Sequence, residues 1–106
     1  MKVISLFSGA GGFDLGFAQA GHKIIWANDN WNEAVETYRM NIGSHIHCKN
    51  IERLRSSDIP SADILIGGFP CQGFSVANVG RNTRDERNGL YRQFVRVLKA
   101  KRPRYF

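Results

Sequence analysis

Apolar residues in this chain fall in short blocks separated by polar or glycine-rich breaks. Residues 2–7, KVISLF, are a run of β-formers too short for a helix, and are predicted to be a buried strand. The turn SGAGG interrupts it. Residues 13–20 then present Phe13, Leu15, Phe17 and Ala18 as the apolar surface of a helix, and Gly21 supplies its stop. Residues 23–27, KIIWA, read as a second strand ending at Asn28-Asp29. Trp31, Ala34, Val35, Tyr38 and Met40 give residues 31–41 a helical pattern, with Gly43 just beyond. A short third strand is expected within residues 46–51. Pro60 breaks the chain before residues 62–66, ADILI, a further buried strand.

Residues 78–88 hold turn formers and no apolar period, and are expected to form a long loop of the kind that often carries function. Leu90, Phe94, Val97 and Leu98 set a helical rhythm over residues 90–101. Pro103 ends that helix, and residues 104–106 look like the start of another strand. This alternation predicts an α/β fold, a Rossmann-like parallel sheet with flanking helices. With 106 residues there is room for one small domain. A last strand only beginning at Phe106 suggests residues 1–106 are a part of something larger.

Composition is ordinary for a soluble protein, 42% hydrophobic and 23% charged. The charge balance is not: the net charge is +6 and the pI about 9.8. Much of the excess sits late, in Arg81, Arg84, Arg87, Arg92, Arg96, Lys99, Lys101, Arg102 and Arg104, against Asp85 and Glu86. That imbalance favours an anionic partner such as nucleic acid, the alternative being a solvated basic helix face. Two cysteines, Cys48 and Cys71, show no zinc or disulfide spacing. Cys48 reads as a small buried residue. No metal site, signal peptide or membrane span is expected, and the setting inferred is cytosolic and reducing.

Two breaks carry candidate chemistry. Phe7-Ser8-Gly9-Ala10-Gly11-Gly12-Phe13 joins the first strand to the first helix, where glycines permit a sharp turn and close approach of a ligand. A purely structural turn would use the same residues. Asp29 ends the second strand eighteen positions after Gly11. There it is suited either to accept hydrogen bonds from a ribose diol or to cap the next helix. Together the two features favour an adenosine-type cofactor. The other break, GGFPCQGFS, Gly67 to Ser75, follows the strand ADILI, with Pro70 fixing the backbone before Cys71. A thiolate is a strong nucleophile when its surroundings are positive. An isolated cysteine is otherwise a compact apolar filler.

Taken together the motifs resemble the N-terminal part of DNA (cytosine-5)-methyltransferases. FSGAGGF is similar to that family's S-adenosylmethionine motif, Asn28-Asp29 falls where its ribose-binding acid falls, and GGFPCQGFS is similar to its Pro-Cys motif. Arg84-Asp85-Glu86-Arg87-Asn88-Gly89-Leu90 looks like the motif after its mobile catalytic loop. The resemblance spans essentially the whole chain. Three positions depart from the pattern. Asp29 stands where Glu is commoner. Asn30 follows where an aromatic is common, with Trp31 one place later. Asn50-Ile51 replaces an Asp-Ile pair.

The resemblance implies S-adenosylmethionine as cofactor and double-stranded DNA as partner, with the base flipped out of the duplex. Cys71 would attack cytosine C6 as thiolate. Phe7, Gly9, Gly11, Gly12, Phe13, Asp29, Asn30, Asn50, Ile51, Pro70 and Leu90 would hold the cofactor. Phe69, Pro70, Gln72, Ser75, Arg81, Arg84 and Arg87 would meet the DNA. The family's Glu-Asn-Val motif, its later arginine motif, target-recognition domain and closing C-terminal helix are not among these residues. A C-terminal part, from the rest of the chain or a second subunit, is therefore an implied partner. The alternatives are a non-catalytic DNA- or partner-binding module and, more remotely, a nicotinamide-dinucleotide protein, against which both motifs speak. An exposed apolar edge beside the last helix and final strand would also favour self-association.

Overall fold

The structure, a computed structural model, describes residues 1–68 and 87–106, with side chains in the second stretch from residue 89. In chain order the elements are β1 (Lys2–Leu6), α1 (Gly12–Gln19), β2 (Lys23–Asp29), α2 (Asn32–Asn41), β3 (Ile46–Cys48), β4 (Ile64–Gly67) and α3 (Arg87–Lys101). Two single 3₁₀ turns, Ile51–Arg53 and Ser56–Asp58, lie between β3 and β4. The strands form one parallel sheet in the order β3-β2-β1-β4. Beyond β4, Tyr105 forms a parallel bridge with Ile64, so the final residues do begin to lengthen the sheet. The Rossmann-like architecture expected from the alternation is the one observed.

Both sheet faces are covered, which is why the strands read as unbroken apolar runs rather than alternating ones. Between the sheet and α1 and α2, Val3, Ile24, Ala27, Val35, Tyr38, Ile46, Ile64 and Ile66 pack together. Between the sheet and α3 with the 3₁₀ turns, Ile4, Leu6, Trp26, Ile51, Ile59, Leu65, Phe94 and Val97 do so. The register of β1 against β2 slips at Ile25, where Val3 pairs with Ile24 but Ile4 pairs with Trp26. This bulge sends Ile24 and Trp26 to opposite faces, although a regular strand would put them on the same one.

Several boundaries differ from expectation. The third strand is only Ile46–Cys48, because Asn50 turns the chain by accepting the Glu52 amide at 3.0 Å. The last helix begins at Arg87 rather than residue 90, so the end of the expected loop is already helical. Cys48 is exposed at the sheet's edge, not buried. The largest difference is in α1. Phe13 and Leu15 are 58% and 43% exposed, and the helix meets the sheet through Asp14, fully buried, and half-buried Phe17. A carboxylate occupies the place that the apolar pattern reserved for hydrophobic residues.

Candidate functional site

The strand order reverses at β1, which has β2 on one side and β4 on the other. In open parallel sheets that reversal leaves a crevice beyond the strands' carboxyl ends. Here it is a cavity of about 340 Å³. Phe7 and Gly9 enter it after β1, Asn28, Asp29, Asn30 and Trp31 at the end of β2, Lys49, Asn50 and Ile51 after β3, and Gly68 after β4. Leu90 of α3 closes one side. A larger groove of about 670 Å³ lies across Lys49 and Asn50, lined by Trp26, His47, Cys48, Arg53, Leu54 and Asp58. It receives neither the β1 turn nor β4, so the residues singled out from those motifs gather at the smaller cavity.

The glycine turn is shaped by what lies beneath it. Phe7 has φ 52°, a left-handed conformation uncommon for a bulky residue. Gly11, at φ 94°, packs so closely that a β-carbon there would fall 2.1 Å from Ile42 Cδ1 and 2.7 Å from the Tyr38 ring. Both its conformation and its contact therefore require glycine. Below it, Ser5 Oγ and Tyr38 OH donate to the two carboxylate oxygens of Asp14, at 2.6 and 2.5 Å. With its proton so used, the Tyr38 oxygen accepts from His45 Nε2 at 2.7 Å. Burial pushes the Asp14 carboxyl up, opposed by the Ser5 and Tyr38 hydrogen bonds and by His45. Burial, and then Asp14, push the Tyr38 phenol up. Burial lowers His45, against the pull of Asp14.

Asp29 is half-buried at the cavity wall. Its carboxylate accepts the Trp31 amide at 3.2 Å, a local turn rather than a cap on α2, whose N-cap position is Trp31. Burial raises its pKa, opposed by the amides of Trp31 and Gly9. Asn50 spends Oδ1 on the Glu52 amide, so its Nδ2 is the group left for a ligand. Gly67 gives close passage to α3: a β-carbon there would sit 2.7 Å from the Phe94 ring.

Of the expected cofactor residues, Phe7, Gly9, Asp29, Asn30, Asn50, Ile51 and Leu90 come together in this lining. Gly11, Gly12 and Phe13 do not. Gly11 is packed on Tyr38, while Gly12 and Phe13 border a shallow apolar groove of about 310 Å³ along α1, where Phe13 stacks on Phe17 at 5.4 Å. Trp31, displaced by one position from the family pattern, nevertheless reaches the wall. Phe69, Pro70, Cys71, Gln72, Ser75, Arg81 and Arg84 lie outside the described residues, as does the side chain of Arg87.

Two further residues matter, and neither sits in a quoted motif as a ligand. Asn28 is 1% exposed and bonded to both neighbouring turns. Arg96, one of the late basic residues, donates to Ile51 O at 3.0 Å, Ser56 Oγ at 3.1 Å and Gln93 Oε1 at 2.8 Å. It clamps the first 3₁₀ turn to α3 rather than contributing a free cation. A polar residue ending an apolar strand signals Asn28; nothing in the sequence signals Arg96.

Among the described residues no group of His, Cys, Asp and Glu is arranged to hold a metal, and no helix is long and apolar enough to cross a membrane. The sequence matches the C-5 cytosine-specific DNA methylase family over residues 1–106. It is 48% identical, over 99% of its length, to the type II methyltransferase M.NgoFVII of Neisseria gonorrhoeae. It is 43% identical over its whole length to M.FnuDI of Fusobacterium nucleatum. The chain spans only 29% and 31% of these two relatives. Among solved structures, a putative prophage-encoded DNA modification methyltransferase from E. coli matches 97% of the chain, with TM-score 0.81 and 34% identity. The chain covers 30% of that protein. The S. pombe Dnmt2 methyltransferase matches 93% of the chain with TM-score 0.73 and 25% identity, and 32% of it is covered.

Proposed function

Because the chain belongs to the C-5 cytosine-specific DNA methylase family, we propose that it is the cofactor-binding and nucleophile-bearing part of an enzyme that methylates cytosine C5 in DNA. The observation that carries this reading is the meeting of the β1 turn, Asp29, Asn50 and Gly68 in one cavity. Cys71 follows Gly68 by three residues, and three extended residues reach at most about 11 Å.

S-adenosylmethionine, when bound, supplies an electrophilic methyl group. The cavity suits its adenosine portion. Asp29 offers a carboxylate to a ribose diol, Asn50 an amide to an adenine edge, and Ile51, Leu90 and Phe7 offer apolar contact. The Cys71 thiolate adds to cytosine C6, forming the Sγ–C6 bond and shifting the electron pair onto C5. C5 would then take the methyl group as the cofactor's sulfur–methyl bond breaks, with the thioether as leaving group. Loss of the C5 proton to a base or water would return the electron pair to the ring and expel the thiolate, breaking the Sγ–C6 bond. On this reading Pro70 would serve the base, and Gln72, Ser75 and the arginines at 81, 84 and 87 would meet the DNA.

The chain spans about a third of its relatives, and the Glu-Asn-Val motif that the family resemblance implies is not among residues 1–106. We therefore expect little methyl transfer by these residues alone and its return when the remaining part of such an enzyme is supplied. The test is covalent trapping. Complemented with that part, the chain should form a denaturation-resistant adduct with a 5-fluorocytosine duplex, and Cys71→Ser should form none. Binding of cofactor and DNA without any adduct would favour a non-catalytic binding module.

A further inference from the structure

Asn28 is buried at the floor of the cavity, yet its polar atoms face two separate turns. Its Oδ1 accepts the Phe7 amide at 3.3 Å and its Nδ2 donates to Lys49 O at 3.0 Å. Its backbone carbonyl accepts both the Ser8 amide at 2.9 Å and Ser8 Oγ at 3.2 Å. Phe7 and Lys49 stand on different walls of the cavity, Phe7 from the turn after β1 and Lys49 from the turn after β3. One carboxamide therefore spans the crevice from beneath.

Its two ends are not equivalent. Phe7 holds a left-handed backbone at φ 52°, which persists only where its surroundings over-determine it. The Oδ1 bond is one such constraint. The β3 side has less support, since that strand has three residues and stands at the edge of the sheet. The Nδ2 bond ties that edge to the sheet's centre.

We propose that Asn28 is a positioning residue that sets the width of this cavity, by holding the Phe7 turn and the Lys49–Asn50 turn at fixed separation. This rests on the reading of the cavity as a cofactor site. A strut of this kind requires a group that both donates and accepts in a buried place. Asparagine supplies both; aspartate keeps only the acceptor.

The experiment compares Asn28→Asp, Asn28→Ala and Val97→Ala in the 106-residue chain. Val97 is buried on the sheet-facing side of α3, away from the cavity lining, and serves as the control for loss of stability alone. S-adenosylhomocysteine affinity is measured by calorimetry, and amide hydrogen exchange of Phe7 and Ser8 without ligand. Asn28→Asp should weaken binding by about tenfold, the equivalent of one lost buried hydrogen bond. Val97→Ala should leave binding within about twofold even where it lowers the urea midpoint as much. Asn28→Ala should speed exchange at Phe7, while Asn28→Asp, which retains the acceptor, should leave it slow. Should the alanine variant not fold, the aspartate variant still decides. Unchanged affinity in Asn28→Asp, or an equal loss in Val97→Ala, would overturn the proposal. Failure of the unsubstituted chain to bind S-adenosylhomocysteine would instead count against the cofactor reading for these residues alone. In that event exchange at Phe7 decides the strut, and equal rates in Asn28→Ala and the unsubstituted chain would reject it.

Discussion

The face of the sheet beneath α1 and α2 buries a carboxylate and two hydroxyls among its aliphatic side chains. The face packed against α3 buries Ile4, Leu6, Leu65, Phe94 and Val97 with no comparable polar group among the described residues. The same strands supply both. Val3 and Ser5 of β1 point to one face, Ile4 and Leu6 to the other. The difference follows from what each covering helix brings. α1 is tied to the glycine turn and contributes Asp14, whereas α3 contributes an apolar stripe. Apolar burial depends on area and shape. The polar cluster depends on geometry and protonation, because each hydroxyl there must keep its partner. That requirement makes the polar cluster the better fixture for a turn of defined shape.

The greatest effect should come from the apolar face. Leu65→Ala should cost about 2–5 kcal/mol, for lost transfer energy and the cavity left behind. Urea unfolding at pH 5 and pH 7.5 should give the same difference, and any marked pH dependence would blur the contrast. On the polar face Tyr38→Phe should cost about 1–3 kcal/mol. It removes the donor to Asp14 and the acceptor for His45. Unlike Leu65→Ala, its cost should change with pH. If the two costs track each other at every pH, the cluster is acting as packing alone.

Arg96→Ala tests the polar rim of the apolar face. Loss of the bonds to Ile51, Ser56 and Gln93 should cost about 1–2 kcal/mol. A large fall in DNA affinity without loss of stability would instead place Arg96 among the phosphate-binding cations.

The smallest effects are in the slope of stability with pH, and here the signs oppose. Asp14 has a native pKa above 3.8, so its contribution is present below 3.8 and is lost as pH rises through the native value. His45 has a native pKa below 6.5, so its contribution is present above 6.5 and is lost as pH falls through the native value. Relative to Asp14→Asn, the unsubstituted chain should gain stability on acidification through Asp14's range. Relative to His45→Gln, it should lose stability as pH falls below 6.5. Chemical denaturation across pH 4 to 8 separates the two.

Much of this could be read from residue order. Short apolar runs bounded by glycine and polar turns specify buried parallel strands, because covering both faces leaves no reason for alternation. KVISLF and ADILI appear as β1 and β4 within two residues, and Asp29 ends β2 as its position implied. Phe13 shows the limit of the method. Its hydrophobicity suggested the inside of a helix, but the buried position went to Asp14, whose hydroxyl partners come from residues nine positions before it and twenty-four after it. No local window contains both partners.

The sequence by itself determined the element order, the sheet's parallel sense and the polar residues delivered to the strands' carboxyl ends. These follow from local periodicity and from the backbone's need to turn. Tertiary structure alone decided that Gly11 must yield space to Tyr38, that Asn28 joins the turns after β1 and β3, and that Arg96 clamps Ile51. It also separated Phe13 from the cavity its motif suggested. The physical reason is that a buried polar atom must find a partner wherever the fold supplies one, and in this fold most of those partners are distant in sequence.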